Sequence, residues 1–465
     1  MQVSIITGTF VSGTNLRTAL PRNLVPVPKA SGISSGFLRP ADGLLQFGPT
    51  APGIDRGGIN WNGKMHRVMG TSLVRVDEDG AITTLATVAA GGPATFDYSF
   101  DRLAFTAGKK LYYWDGTSLS QVVDPDLGDA LDMIWVDGYF MTTDGTSLVV
   151  TELDDPYAVN PLKYGSAETD PDPIMSIEKQ RGEVYAIGRY TIEVFQNIGG
   201  TLFPFQRIAG AQIQRGALGA YTSAKFVESI AFLGSGRNEA PSVYLAANGN
   251  TQKLATQEID TILLEYTEAE LAAVEMDVRV DKAHQHLILH LPDRTLVFDA
   301  AASAVLGEPI WFEFTSSIVG KGQYLCRHLV YAYGKWIGGD PATKRLCELT
   351  ESVSSHYGEV NGWDFGVSAL YNEGKGAIVH EVELVGLPGN AAFGDDPVIW
   401  SSYSVDGRTW SAERPIKAGK SGETDKRLAW RRFGHMRNWR IQKFRGTSDA
   451  HLSFIRLDMA VEPLA

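Results

Sequence analysis

From Ile59 onward, short runs of β-branched and aromatic residues alternate with turns rich in Gly and Asp. The alternation recurs at intervals of roughly 30 to 50 residues, over 59–88, 96–123, 131–153, 174–196, 224–255, 278–314 and 329–350. A unit of that size cannot bury its own apolar face, so neighbouring units must share a core. The period is that of a propeller blade, about 40 to 50 residues. The unequal lengths leave six or seven blades open. The tetrapeptide Gly-Thr-Ser-Leu starts at Gly70, Gly116 and Gly145, the last two preceded by Asp115 and Asp144. Asp-Gly between apolar runs signals a hairpin, because Gly accepts positive φ at no steric cost. These repeated residues form turns, which speaks for a rigid platform rather than a reactive centre.

The flanks read differently. Residues 1–58 hold Leu20-Pro21-Arg22-Asn23-Leu24-Val25-Pro26-Val27-Pro28, and proline fixes φ while removing a donor, so this is an extended arm that crosses other elements. The propeller platform spans 59–351. One helical insertion falls near 256–275. Thr267 and Glu270 there have capping-box spacing, and Ile259, Ile262 and Leu263 suggest a short helix just before. Beyond 352 longer strands appear, at 378–385, 398–405 and 452–459, and 352–465 reads as a C-terminal β-sandwich-like domain. The fold class is all-β.

Charge narrows the function. The chain of 465 residues carries a formal −12, which argues against a general nucleic-acid coat. Its two cysteines, Cys326 and Cys347, cannot build a disulfide framework and are expected as buried thiols. No stretch approaches the ~20 apolar residues of a membrane helix. The first residues lack a basic segment followed by an apolar one, so folding in a cytoplasm without membrane insertion is expected.

Residues 426–445 are the sharpest charge feature, with eight Lys/Arg and no acid. The rest of the chain therefore stands at −20, the net −12 less these eight positive charges. Lys426, Arg427, Trp430, Arg431, Arg432, Arg437, Arg440, Lys443 and Arg445 are candidates for a partner interface, with the aromatics as anchors. Pairing with the chain's own acidic surface and direct nucleic-acid contact are the alternatives.

His284, His286 and His290 fall on one face of a strand at period two. No cysteine or carboxylate at ligand spacing stands beside them in sequence, so hydrogen-bonded histidines are expected rather than a metal site. Asp124-Pro125-Asp126-Leu127-Gly128-Asp129 hints at a calcium loop, but its Gly is misplaced and the distal Glu is missing. Ser404–Trp410 resembles an Asp-box hairpin with Asp406 and Gly407 adjacent, Trp410 packing beneath. No phosphate-binding loop, dinucleotide fingerprint or nucleophile elbow is present, and no cofactor, metal or catalytic residue is assigned.

Five blocks, in order along the chain, carry a resemblance. They are Ser35-Gly36-Phe37-Leu38-Arg39, Ala240-Pro241-Ser242-Val243-Tyr244, Tyr266-Thr267 with Glu270-Leu271, Arg279 through His284 and His290 to Ala300, and Asp425-Lys426-Arg427-Leu428 with Trp430-Arg431-Arg432, Gly434 and Arg437. His286 lies outside the pattern. The chain resembles the packaged-DNA stabilisation proteins of short-tailed phages, the tail hub or nozzle. The resemblance implies a virion tail protein without enzymatic activity that assembles as a homo-oligomer, typically a hexamer. It would lie below the portal-adaptor ring, continue the DNA channel without gripping DNA specifically, help retain packaged DNA, and hold tail needle and tailspike. A propeller glycosidase or sialidase-like enzyme and a glycan-binding module are the competing readings. An enzyme needs carboxylates and arginines converging on the propeller mouth, whereas a hub predicts an empty or unpolarised one.

Overall fold

Asn62-Gly63, Asp137-Gly138, Arg181-Gly182 and Tyr333-Gly334 all hold positive φ at both residues. This mirror-image turn matches the twist of paired strands and ties the first strand to the second in four of the units. In a computed structural model, which describes residues 1–464 apart from 7–9, 13–16, 30–33, 154, 168–169, 248 and 370, the result is seven antiparallel sheets. They cover 55–87, 95–121, 132–166, 174–207, 216–253, 275–314 and 327–350 and are blades one to seven of a propeller. Their first strands follow one another around a central channel: Asp55–Trp61, Thr95–Tyr98, Asp132–Val136, Ile174–Gln180, Ser223–Phe226, Glu275–Asp281 and Arg327–Ala332, the last against the first. Blade five breaks this position into Gly216–Ala217 and Ser223–Phe226, which both pair with Ser229–Ser235.

Blade seven supplies only three strands of its own. Its outer strand is Gly43–Gln46, antiparallel to Leu346–Thr350. The rest of the proline-rich segment goes elsewhere. Leu24–Pro28 and Gly36–Pro40 pair with each other and join a seven-stranded C-terminal sheet, and Gln2–Val3 pairs with Ser453–Pro463 of that sheet. The segment is thus threaded as paired strands through both units. The second sheet of the sandwich holds Gly362–Ala369, Arg440–Thr447, Val398–Ser404 and Arg414–Lys417. Trp363, Phe365, Phe444, Phe454 and Leu457 fill the space between the sheets.

The helices Gln257–Leu263 and Glu268–Ala272 stand between blades five and six, and the second carries the capping box of Thr267 and Glu270. A third helix, Ala300–Leu306, was not anticipated. Asp299 caps its first amides and Gly307, at φ 74°, ends it.

The repeated tetrapeptide does not mark equivalent blade positions. Asp115-Gly116 joins the third and fourth strands of blade two, while Asp144-Gly145 joins the second and third of blade three. What they share is local. Each Asp Oδ1 accepts the amides two and three residues on, at 2.7–2.8 Å, and the Gly holds φ 96° or 93°.

Candidate functional site

The first strands present carboxylates where the blades meet. Asp97 Oδ2 of blade two accepts the Trp135 amide of blade three at 2.7 Å. Asp132 Oδ2 of blade three accepts the Ile177 amide of blade four at 2.9 Å. Asp277 of blade six accepts the His328 and Leu329 amides of blade seven at 2.9 and 3.2 Å. An aspartate on an inner strand thus staples the next blade, satisfying amides that the ladder leaves over.

The closing seam is the most charged. Arg67, fully buried, reaches Asp55 through two bonds of 2.7 Å and donates to the His328 carbonyl at 2.9 Å. His328 Nδ1 is 2.7 Å from Asp55 and Nε2 is 2.7 Å from Glu275. Burial opposes charge on this ring, but its two carboxylate partners outweigh burial and push its pKa up to about 10. Burial likewise opposes ionisation of Asp55, and Arg67 with His328 holds it well below the usual range. Blades six, seven and one are therefore joined by an ionic cluster.

A cavity of about 360 Å³ occupies the channel, lined by Asp97, Asp132, Glu178, Lys225, Glu275 and His328 among others. The expected unpolarised mouth is not what forms, because the staples turn their charges inward. Burial pushes Asp132 up to about 6 against the amides it accepts. Glu178 is pushed up to about 7 by burial, with Asp132 and Asp97 nearby, despite Lys225 at 3.8 Å. Lys179 pairs with Asp97 at 2.5 Å, and Arg327 with Glu275 at 3.2 Å. These groups are engaged with one another. No arginine lines the cavity among the described residues.

The basic segment is divided. Its first part, Ala429–Arg431, is an edge strand paired with Ala377–Leu387, where Glu381 faces Arg431. Arg427 is paired with Glu381 and Glu383, Arg431 with Glu381 at 3.1 Å, Lys426 with Glu423 at 3.3 Å, and Arg445 with Glu413 at 2.5 Å. Trp430 is buried in the sandwich core with Phe433, so it anchors the strand to its own domain and not to a partner. Arg440 is also buried. It lies 3.8 Å from the Tyr403 ring centroid and donates to Gln442 and to the Phe433 carbonyl. Burial pulls its pKa down to about 9. These two residues leave the candidate surface. Arg427, Arg431, Arg432 and Arg437 are exposed, and Lys443 is half-buried.

Asp124 is spent on capping the turn Pro125–Leu127 and on the Val159 amide, and Asp129 pairs with Lys109 at 3.0 Å. Among the described residues, no three ligating side chains converge there. At the Asp406-Gly407 hairpin, Asp406 accepts the Arg408 and Thr409 amides, and the Trp439 ring lies beside Gly407. Of the histidines, His290 meets Asp277 at 2.9 Å. His284 and His286 meet a carboxylate that spacing along one strand could not reveal, Asp299 of the next strand. Cys326 and Cys347 are buried free thiols between blades six and seven.

Comparison with known proteins bears on both units. The family described as bacteriophage P22 Gp10, beta-propeller, matches residues 1–354, and that described as bacteriophage P22 Gp10, beta-sandwich, matches 362–462. The tail hub protein gp10 of Salmonella phage P22 is 27% identical over 441 residues, which covers 90% of each chain. Among solved structures, the N-terminal domain of Nup159 superposes with a TM-score of 0.41 at 8% identity, over 71% of this chain and 98% of that one. PorZ of Porphyromonas gingivalis gives 0.40 at 10% identity, over 80% and 46%. With the propeller and the sandwich each matched in one chain and in the same order, the protein belongs to the P22 Gp10 family of short-tailed phage tail hubs.

Proposed function

We propose that the chain is a structural subunit of a phage tail hub, a homo-oligomeric ring, typically of six copies, seated below a portal-adaptor ring. It continues the DNA path, helps retain packaged DNA and holds needle and tailspike. The observation that carries the reading is the paired family match over nearly the whole chain. The channel is polarised, against the expectation for a hub, but its charges are spent on the fold. Its carboxylates close the propeller, and a cavity of about 360 Å³ has the size of a small-ligand pocket, far below that of a duplex. The DNA path of such a ring runs between copies and not through a propeller. Arg432 and Arg437, with the partly paired Arg427 and Arg431, present the remaining positive surface for a neighbouring tail protein.

The test is mass measurement with negative-stain imaging of the pure protein, alone and mixed with a portal-adaptor complex. A ring that adds to the complex is expected. A chain that stays monomeric in both settings overturns the reading. Release of reducing sugar or sialic acid from host glycan, lost in Glu178→Gln, would establish the enzymatic alternative instead.

A further inference from the structure

Three side chains in blade six converge at a place that neither the hub reading nor the channel uses. His284 and His286 lie two residues apart on the strand His284–His290 and share a face. Asp299 stands directly across from His286 at the end of Thr295–Asp299. His284 Nδ1 is 2.5 Å and His286 Nε2 3.6 Å from the same oxygen, Asp299 Oδ2. One donor atom of each residue lies within 4.8 Å of the other two. All three residues are buried. His286 is 0% exposed, and neither of its ring nitrogens has a hydrogen-bond partner. Burying such a group unsatisfied is costly, and a bound ion would satisfy it.

Asp299 is already set as a ligand. Its other oxygen, Oδ1, accepts the amides of Gln285, Ala301 and Ala302 at 3.1–3.3 Å, which fixes the carboxylate and leaves Oδ2 turned to the histidines. We propose that His284 Nδ1, His286 Nε2 and Asp299 Oδ2 bind a divalent first-row transition ion, with Zn²⁺ the best match. Two imidazoles and one carboxylate are a donor set for such ions. Donors around zinc stand about 2.0–2.2 Å from the metal, hence about 3.3–3.6 Å from one another in a tetrahedron. The His286–Asp299 separation already meets that span, and the His284–Asp299 contact must open by about 1 Å. Arg279 sits opposite His286 across the strand pair and brings a positive charge to this face. That charge is engaged by Asp42 and, at 3.2 Å, by Asp281. His290 takes no part, being held by Asp277. The bound ion would clamp the second strand of blade six to the third and to the cap of the helix Ala300–Leu306.

The test uses the full-length protein, stripped with a chelator and titrated with Zn²⁺ and Co²⁺. One Zn²⁺ per chain by elemental analysis, visible d–d absorption with Co²⁺, and a thermal midpoint raised by about 3 °C or more in excess Zn²⁺ are expected. His284→Gln and His286→Gln should each weaken binding at least about tenfold. An unmodified protein with no stoichiometric metal and a midpoint indifferent to Zn²⁺ overturns the proposal, which leaves the variants' folding irrelevant to that outcome. Zn²⁺ affinity unchanged in a folded His286→Gln protein also overturns it, by placing the ion elsewhere.

Discussion

His328 has a carboxylate at each ring nitrogen, and a neutral imidazole can donate only one proton. The doubly protonated ring satisfies both Asp55 and Glu275, and that is why its pKa rises to about 10. Removing it leaves two buried carboxylates short of a partner. His328→Gln should therefore lower unfolding free energy by about 3 kcal/mol, read by chemical denaturation. A variant as stable as the parent would show that the cluster is dispensable. Glu178 is held neutral where His328 is held charged. Its folded pKa of about 7 lies above the ordinary 4.5, so between those values the native state holds a proton the unfolded chain has released. Its contribution is complete below about pH 4.5 and is lost as pH rises through about 7. Asp132, at about 6, and His328, at about 10, lose their contributions in the same direction. Their shared effect is a fall in stability, read by the thermal midpoint, from pH 5 to pH 8, set against the rise that His66, His286, His290, His356 and His451, all held below the ordinary 6.5 by burial, contribute as pH climbs to 6.5. Glu178→Gln should flatten that fall and stabilise the protein by about 1 kcal/mol at pH 8. An equal slope in both proteins would remove Glu178 as its source.

At the scale of elements, the closing strand Gly43–Gln46 is the most consequential. Leu44 is buried at its centre, paired in register with Leu349. Leu44→Ala should cost about 3 kcal/mol, and amide exchange in Leu346–Thr350 should quicken more than in blade three. Uniform acceleration across all blades would mean that the strand stabilises no particular seam. This strand shows what a sequence hides. Gly43-Leu44-Leu45-Gln46 is too short to show a period and sits beside prolines, while its partner lies in another part of the chain. The seven units were legible because each hairpin announces itself through residues that accept positive φ, such as Asn62-Gly63 and Tyr333-Gly334. The paired helices were legible through Thr267 and Glu270. The third helix had its signals too, Asp299, an alanine run and Gly307, but they lay inside a run read as strand. The inter-blade staples were not legible, because an aspartate that accepts a neighbour's amide looks in sequence like any turn aspartate. The basic segment was legible as charge and not as surface. Strand pairing at Arg440–Thr447 carries Arg440 and Phe444 inward, and only the third dimension separates them from Arg431, Arg432 and Arg437.

For the whole molecule, the exposed arginines beside an otherwise acidic chain set the remaining expectations. Replacing Arg431, Arg432 and Arg437 together with Gln should leave the fold intact and slow addition to the tail at least about tenfold at physiological salt. Assembly at the parental rate would assign that face no partner. Duplex DNA should bind the isolated protein only weakly at the same ionic strength, since the proposed conduit would have to let a polyanion slide and each neutralised phosphate adds affinity through counterion release. Tight, salt-sensitive binding abolished by the triple replacement would put the segment on the DNA path.

The outer strand of blade seven is synthesised roughly 300 residues before the strand it pairs with, and Gln2–Val3 meets its partner only at Leu457–Asp458. A growing chain therefore carries Gly43–Gln46 unpaired until Leu346–Thr350 has emerged, and Gln2–Val3 unpaired until Ser453–Pro463 has. Blades one to six can form in order of synthesis, but the ring cannot lock until Leu346–Thr350 arrives, nor the sandwich complete its larger sheet until Ser453–Pro463 does. Any surface that needs both the locked ring and the complete larger sheet comes into being only once Ser453–Pro463 has emerged, so a chain cut short between those two strands would present a closed propeller on an unfinished sandwich.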